Sequence, residues 1–269
     1  MVKVLPLFYK LTNIKGHKSL KIKSGITNIN YKVITDNGDF VIRIPRNNIV
    51  GLNRENEEKV IELVKDINVD VIYFDSKTGI MISKYVESKK RKQVSFDVMI
   101  SHLKTLHSLN TDNISSFDPF ELINTYSNVC GIKAFNKKEK VIEKAKNIYE
   151  KYPLVLCHND LLYANCISTD NKEYLIDYEY AGKNVALFDI VSFLSENDID
   201  DITSQIKFIK MYYKTIDTQL LSDINTMFLL LDMLWAYWGY AMYELYKEEI
   251  FLQIATSKHH RYNIRSYTY

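Results

Sequence analysis

Residues 157–166 read CHNDLLYANC, and residues 175–182 read LIDYEYAG. Asp160 is followed five positions later by Asn165, and Asp177 closes an apolar run shortly after. The three side chains supply a proton acceptor and two oxygen ligands for magnesium on one short stretch of chain. Phosphoryl transfer needs both, since the acceptor hydroxyl must be oriented and the phosphate charge neutralised. The flanking sequence supports the same reading. PLVLC (153–157) is an apolar strand leading into His158, and NCIS (165–168) and EYLIDY (173–178) form a hairpin across Asp170-Asn171-Lys172. That hairpin brings Asn165 and Asp177 to one end of a sheet, where loops hold reactive groups rigidly yet open to solvent. A His-x-Asp-x4-Asn match also arises by chance, so the plain alternative is two turn formers and a strand-end polar residue.

Composition narrows the field without naming a chemistry. With 269 residues, 46% hydrophobic and 25% charged, the chain is an ordinary globular protein able to bury a core. A net charge of +2 argues against a dedicated nucleic-acid binder. The cluster Lys89-Lys90-Arg91-Lys92 reads as a solvated loop after a strand. Cys130, Cys157 and Cys166 have neither disulfide nor CxxC metal spacing, which fits the reduced cytosol. The N-terminus carries no signal-peptide pattern, so a cytoplasmic location is expected. Residues 227–246, MFLLLDMLWAYWGYAMYELY, approach the length of a membrane span. Asp232 and Glu244 within them, and aromatics spread throughout, favour a buried helix over a span.

The pattern divides the chain. LKIKSG (20–25), INYKVIT (29–35) and FVIRIP (40–45) are strand-like, and Asp36-Asn37-Gly38-Asp39 is a hairpin signal between the last two. Residues 54–66 place Val60, Ile61 and Val64 at helical spacing, with acids in the first turns. VDVIYFD (69–75) and GIMISKYV (79–86) add two strands. Beyond Val86, Ser95 caps a helix bearing Met99, Ile100, Leu103 and Leu106 on one face. Another helix covers 137–151, and from about 186 the chain reads as helical, including 202–214 and 222–247. The expectation is an α+β protein of two lobes, a small β-rich lobe over 1–86 and a larger, mainly helical lobe over 87–269.

At this point the sequence resembles a known family. VLCHNDLLYANCI and LIDYEYAGKNVALFDIVSFLSE look like the choline/ethanolamine kinases, within the aminoglycoside-phosphotransferase and protein-kinase-like superfamily. SGITNINYKV with FVIRIPR is similar to the family's phosphate-loop hairpin, NRENE to its acidic helix, and LWAYWGY to its C-terminal lobe. The resemblance implies a bilobal protein-kinase-like fold and an ATP- and Mg2+-dependent small-molecule kinase. It implies Asp160 as the catalytic base and Asn165 and Asp177 as magnesium ligands, with Glu179 as a further one. Arg43 would hold the α/β-phosphates and Glu57 would fix its direction, a sound exchange for lysine because the guanidinium fork fits phosphate oxygens. The loop Ser24-Gly25-Ile26-Thr27-Asn28 would cover the phosphates through Gly25, Thr27 and Asn28. Lys84 and Val86 would hold the adenine by their backbones. His158 and Asp189 would brace the catalytic loop from beneath.

Trp235 and Trp238 are the only tryptophans, and their spacing puts them on one helix face. A quaternary ammonium has no proton to donate and is recognised by aromatic faces. The resemblance places this pair, with Tyr180 and Glu196, in a choline pocket that Phe251 and Tyr262 would close. Ordinary core packing is the plain alternative for the tryptophans. Asp201, in the acidic run DIDD, stands where some members carry an aromatic, which leaves room for ethanolamine, thiamine or an aminoglycoside as acceptor. The expected partner is thus a small molecule, choline or a related amino alcohol. A non-catalytic nucleotide-binding module is the remote alternative.

Overall fold

In this computed structural model the described residues are 3–23, 25–46, 49–89, 94–132 and 135–267. Ser24 of the phosphate loop and Lys90, Arg91 and Lys92 of the basic cluster lie outside them. In chain order the elements are helix α1 (Val4–Thr12), strands β1 (Gly16–Ile22), β2 (Asn28–Thr35) and β3 (Phe40–Pro45), helix α2 (Arg54–Leu63), and strands β4 (Val71–Asp75) and β5 (Ile80–Lys84). Helices α3 (Phe96–His107), α4 (Pro119–Cys130) and α5 (Lys138–Lys151) follow. Then come strands β6 (Leu154–Cys157), β7 (Cys166–Ser168), β8 (Glu173–Leu175) and β9 (Gly182–Val185). Helices α6 (Ala186–Glu196), α7 (Ile202–Tyr212), α8 (Thr218–Tyr246) and α9 (Glu249–Tyr267) complete the chain.

These elements form two compact units. One comprises Met1–Val94 with Tyr163–Glu179, the other Ser95–Leu162 with Tyr180–Tyr269. The division differs from a single cut at residue 86, because the β7–β8 hairpin belongs with the first unit. Two hydrogen bonds explain this: Leu175 N donates to Ile67 O at 2.8 Å and Lys89 N to Ser168 O at 2.8 Å. The hairpin's own strands are three residues each, too short to stand without such support.

The first unit is built on an antiparallel sheet of order β1-β2-β3-β5-β4. The β2–β3 turn forms as its residues dictate. Gly38 takes φ +100°, and the Thr35 hydroxyl donates to Gly38 O at 2.6 Å. Period-two alternation then sorts the faces. Val33, Phe40, Ile42 and Ile82 point to one side and pack with Val4 and Phe8 of α1. Asn30, Val41, Arg43, Met81 and Ser83 point to the other and line a cavity of ≈310 Å³. Helix α1, absent from the strand-rich reading of the N-terminus, closes the apolar face. Gly16 permits that closeness, since a Cβ there would lie 2.7 Å from Val33 Cγ1.

The second unit is helical around α8, nearly all of whose central residues are buried. Asp232 within it is paired with Arg265 of α9 at 2.5 Å, and Ser195 donates to its other oxygen at 3.3 Å. Such a helix belongs in a protein core, and among the described residues no helix is long and apolar enough to cross a membrane. Helix α4 and strand β9, which the pattern reading did not separate out, pack here. Pro119 at the start of α4 follows an Asp118 cap, and β9 pairs with β6.

Candidate active site

The candidate residues form one group in each unit. In the first unit, Arg43 projects from β3 into the cavity and is almost wholly buried. Its Nη1 donates to Glu57 Oε1 at 2.5 Å and its Nη2 to Gly79 O at 3.2 Å. Burial alone would lower the arginine pKa, but the Glu57 carboxylate, with Asp177 and Glu179 beyond it, holds the value above the usual one. Glu57 is presented by α2, which starts where Asn53 accepts from Asn56 N.

Asp177 follows β8 with φ +70°, a conformation that side-chain-bearing residues rarely adopt. Its Oδ1 lies 3.6 Å from Arg43 Nη1, is buried and accepts no hydrogen bond. Burial, and then the neighbouring Glu179 charge, push its carboxyl up to about 7 against the pull of Arg43. Asn165 ends a short 3-10 turn rather than opening a strand, and its carbonyl accepts Ile176 N at 2.8 Å. The backbone thus brings Asn165 beside the Asp177 segment.

Glu179 has both oxygens engaged. Oε1 accepts the Thr27 hydroxyl at 2.7 Å, while Oε2 accepts Asn28 Nδ2 at 2.9 Å and Arg54 Nη1 at 3.2 Å. A carboxylate so occupied anchors the loop that contains Gly25, Thr27 and Asn28. Gly25 takes φ +84° in that loop. Lys84 and Val86 both line the cavity, and the Lys84 ammonium turns outward to Asp70 at 2.7 Å. Arg54 is the residue here that motif reading missed.

In the second unit, His158 is fully buried and its Nδ1 accepts the Asp160 amide at 3.3 Å. Asp189 accepts His158 N at 2.9 Å and Asn159 N at 2.8 Å. His107, from the end of α3, reaches the same carboxylate at 3.0 Å and Tyr212 at 2.6 Å with its other nitrogen. Asn159 takes φ +67°, and its amide donates to Tyr180 O at 2.9 Å. Ser192 accepts Leu161 N at 3.1 Å, and Asn197 donates to Leu161 O at 2.8 Å. The backbone around Asp160 is therefore held from α3 and α6 and from β9, which supplies Asn184 to Asn159 Oδ1. His107 with Cys157 and Asp189 has metal-like spacing, but burial pushes the Cys157 thiol well up, and the carboxylate already serves two backbone amides.

The same unit gathers the aromatic residues. Trp235 and Trp238 stand edge-to-face at 6.0 Å, Tyr180 meets Trp235 at 5.2 Å, and Phe251 meets Trp238 at 5.6 Å. Both indole N–H groups are buried without a hydrogen-bond partner.

The family model described as choline/ethanolamine kinase matches residues 80–265, more than two thirds of the sequence. The chain belongs to the choline/ethanolamine kinase family. Protein LicA of Haemophilus influenzae is 27% identical over 190 residues, covering 64% of this chain and 56% of that protein. The crystal structure of choline kinase LicA from Streptococcus pneumoniae superposes with a TM-score of 0.82 at 22% identity, covering 100% of both chains. A LicA structure in complex with AMP aligns at a TM-score of 0.77 and 21% identity over 98% of each chain. This family member is thus a small-molecule kinase acting on an alcohol group, with the bilobal α+β fold.

The acids near the end of α6 are paired with basic residues of α9, Glu196 in the interior and Asp198 and Asp200 at the surface. Glu196 is bound to Lys258 at 2.6 Å, both largely buried. Asp198 and Asp200 hold Arg261 at 3.0 and 3.1 Å. Asp201, the departure from an aromatic, caps α7 by accepting Ser204 N at 2.8 Å. Tyr262 packs edge-on against Phe135 at 5.0 Å and donates to Asn136 O, whereas Phe251 joins the tryptophans.

Proposed function

We propose that this kinase uses ATP and Mg2+ to phosphorylate the hydroxyl of choline in the cytoplasm. The observation that carries the acceptor is the Tyr180–Trp235–Trp238–Phe251 cluster beside carboxylates that already have internal cations. The four rings are almost fully buried against one another, and aromatic faces are the chemistry that suits a quaternary ammonium. A carboxylate-based acceptor site would need Glu196, which is paired with the buried Lys258. The LicA relatives point the same way.

The nucleotide reading rests on the first-unit cavity. Lys84 and Val86 line it, as does Arg43, whose planar fork is directed by Glu57. Arg43 would bind phosphate oxygens bidentately, as a guanidinium does. Magnesium fits Asn165 and Asp177, because hard oxygens suit the ion and Asp177 Oδ1 has no hydrogen bond to break. When bound, the ion would neutralise phosphate charge. Asp160, on a backbone clamped by Asp189, His158 and Ser192, would accept the acceptor's hydroxyl proton. Cys130, Cys157 and Cys166 form no disulfide with one another, which is compatible with a reducing compartment.

The test is ADP release over choline, ethanolamine, thiamine and an aminoglycoside, with wild type and Asp160→Ala. Choline should lead the panel, and the substitution should lower kcat about 10²–10⁴-fold. Turnover retained by Asp160→Ala would sink its assignment as base, and a preference for ethanolamine would sink the acceptor.

A further inference from the structure

We propose that Arg54 is a positioning residue for nucleotide binding: it ties the carboxylate that anchors the phosphate loop to the pair that orients Arg43. The proposal rests on the nucleotide reading of the cavity. Arg54 Nη1 donates to Glu57 Oε2 at 2.6 Å and to Glu179 Oε2 at 3.2 Å. Both carboxylates are almost fully buried, at 1% and 3% exposed; Glu57 lines the cavity, while Glu179 holds the loop that leads into β2. Glu57 Oε1 fixes Arg43, while Glu179 holds Thr27 and Asn28. One nitrogen therefore closes a continuous chain of charge-assisted hydrogen bonds from the loop to the phosphate-facing arginine.

A second observation fixes Arg54 in place. Gly79 has φ +71°, its carbonyl accepts Arg43 Nη2, and a Cβ there would lie 2.7 Å from Arg54 Nε and 2.9 Å from Pro45 Cγ. The β4–β5 turn thus packs against Arg54 and binds Arg43 through the Gly79 carbonyl, and a larger residue at Gly79 would displace Arg54. Arg54 itself is not among the residues lining the cavity, so it acts through Glu57 and Glu179 rather than on the ligand.

The experiment measures ADP affinity by calorimetry, KM for ATP and for choline, and Tm, for wild type, Arg54→Met, Arg54→Lys, Gly79→Ala and Arg43→Met. Arg54→Met should weaken ADP and raise the ATP KM about tenfold, the scale of one charged hydrogen bond. The choline KM should stay within about twofold. Arg54→Lys keeps a charge that can donate to both carboxylates and should restore most of the affinity. In a cycle with Glu179→Gln the two effects should be non-additive. A lower Tm with unchanged ADP affinity in Arg54→Met would make Arg54 a structural ion pair only and overturn the proposal. If Arg54→Met does not fold, Gly79→Ala decides: unchanged ADP affinity there rejects it. Should wild type bind no ADP, the nucleotide reading falls and this proposal with it. ADP binding lost in Arg43→Met but intact in Arg54→Met rejects the proposal alone.

Discussion

Arg43→Met tests the cavity most directly, and its cost can be worked from the contacts. The substitution keeps length and apolar stem but removes the 2.5 Å bond to Glu57, the 3.2 Å bond to Gly79 O and the 3.6 Å approach to Asp177. Breaking a buried ion pair by deleting one partner costs about 3–5 kcal/mol, because the remaining charge lacks compensation. Here Glu57 retains Arg54 at 2.6 Å, which moves the expectation to about 2–3 kcal/mol. For a chain of 269 residues, ~1 kcal/mol shifts Tm by ~2 °C, so a fall of roughly 5 °C is expected by scanning calorimetry. Unfolding of the first unit by itself would give a larger shift, since fewer residues share the entropy. The functional loss should be greater: two charged contacts to phosphate oxygens correspond to roughly 10²-fold or more in kcat/KM for ATP. Arg43→Lys should recover stability better than activity, having one point charge in place of the fork. An unchanged Tm would refute the energetic account. Wild-type ATP affinity in Arg43→Met would refute the placement of phosphate at this arginine.

Two further outcomes follow from charge pairing. Trp235→Ala should raise the choline KM about tenfold or more, while Glu196→Gln changes it less than threefold, because a desolvated cation–π contact contributes ~2 kcal/mol and Lys258 already neutralises Glu196. Steady-state kinetics with both variants checks this, and the reverse ranking would mean that Glu196, not the rings, meets the acceptor. The second concerns pH. The Asp177 carboxyl, lifted to about 7 by burial, holds its proton in the folded state where the unfolded chain has lost it. Its contribution to stability is therefore fullest below the ordinary carboxylate pKa near 3.9 and is lost as pH rises through about 7. Without ligands, Tm should fall across that window, and Asp177→Asn should flatten the fall. Magnesium with nucleotide should raise Tm more at pH 8 than at pH 6; an equal effect at both would argue against Asp177 as a ligand.

The parts of the fold written in short-range pattern were legible in the sequence. The β2–β3 hairpin was announced by Asp36-Asn37-Gly38-Asp39, α2 by its acid-rich first turn and α3 by Ser95. What escaped depends on tertiary partners. Helix α1 is nine residues with only Val4 and Phe8 buried, a stripe too short to stand out before the sheet face it covers is known. The β7–β8 hairpin could be read, but its union with the first unit rests on bonds to Ile67 and Lys89 that no local pattern encodes. His107 lies some fifty residues before the loop it braces, and nothing in SHLKTLHS marks it. Arg54 lies within NRENE, three positions from Glu57, yet its second partner, Glu179, is 125 positions away.

Motif reading finds residues of the right type; pairing decides which of them have capacity left for a ligand. In the first unit Glu57 and Glu179 are saturated by Arg43, Arg54, Thr27 and Asn28, and Asp177 keeps a buried oxygen without a hydrogen bond. Burial and the Glu179 charge raise the pKa of that carboxyl, and a divalent ion bound there would favour its ionised form. In the second unit the logic runs the other way. Glu196, Asp198, Asp200 and Asp232 each face a lysine or arginine from α9, and Asp201 caps a helix. An acceptor relying on Glu196 must displace the buried Lys258 and lose about as much as it gains, whereas the tryptophan rings carry no such competitor.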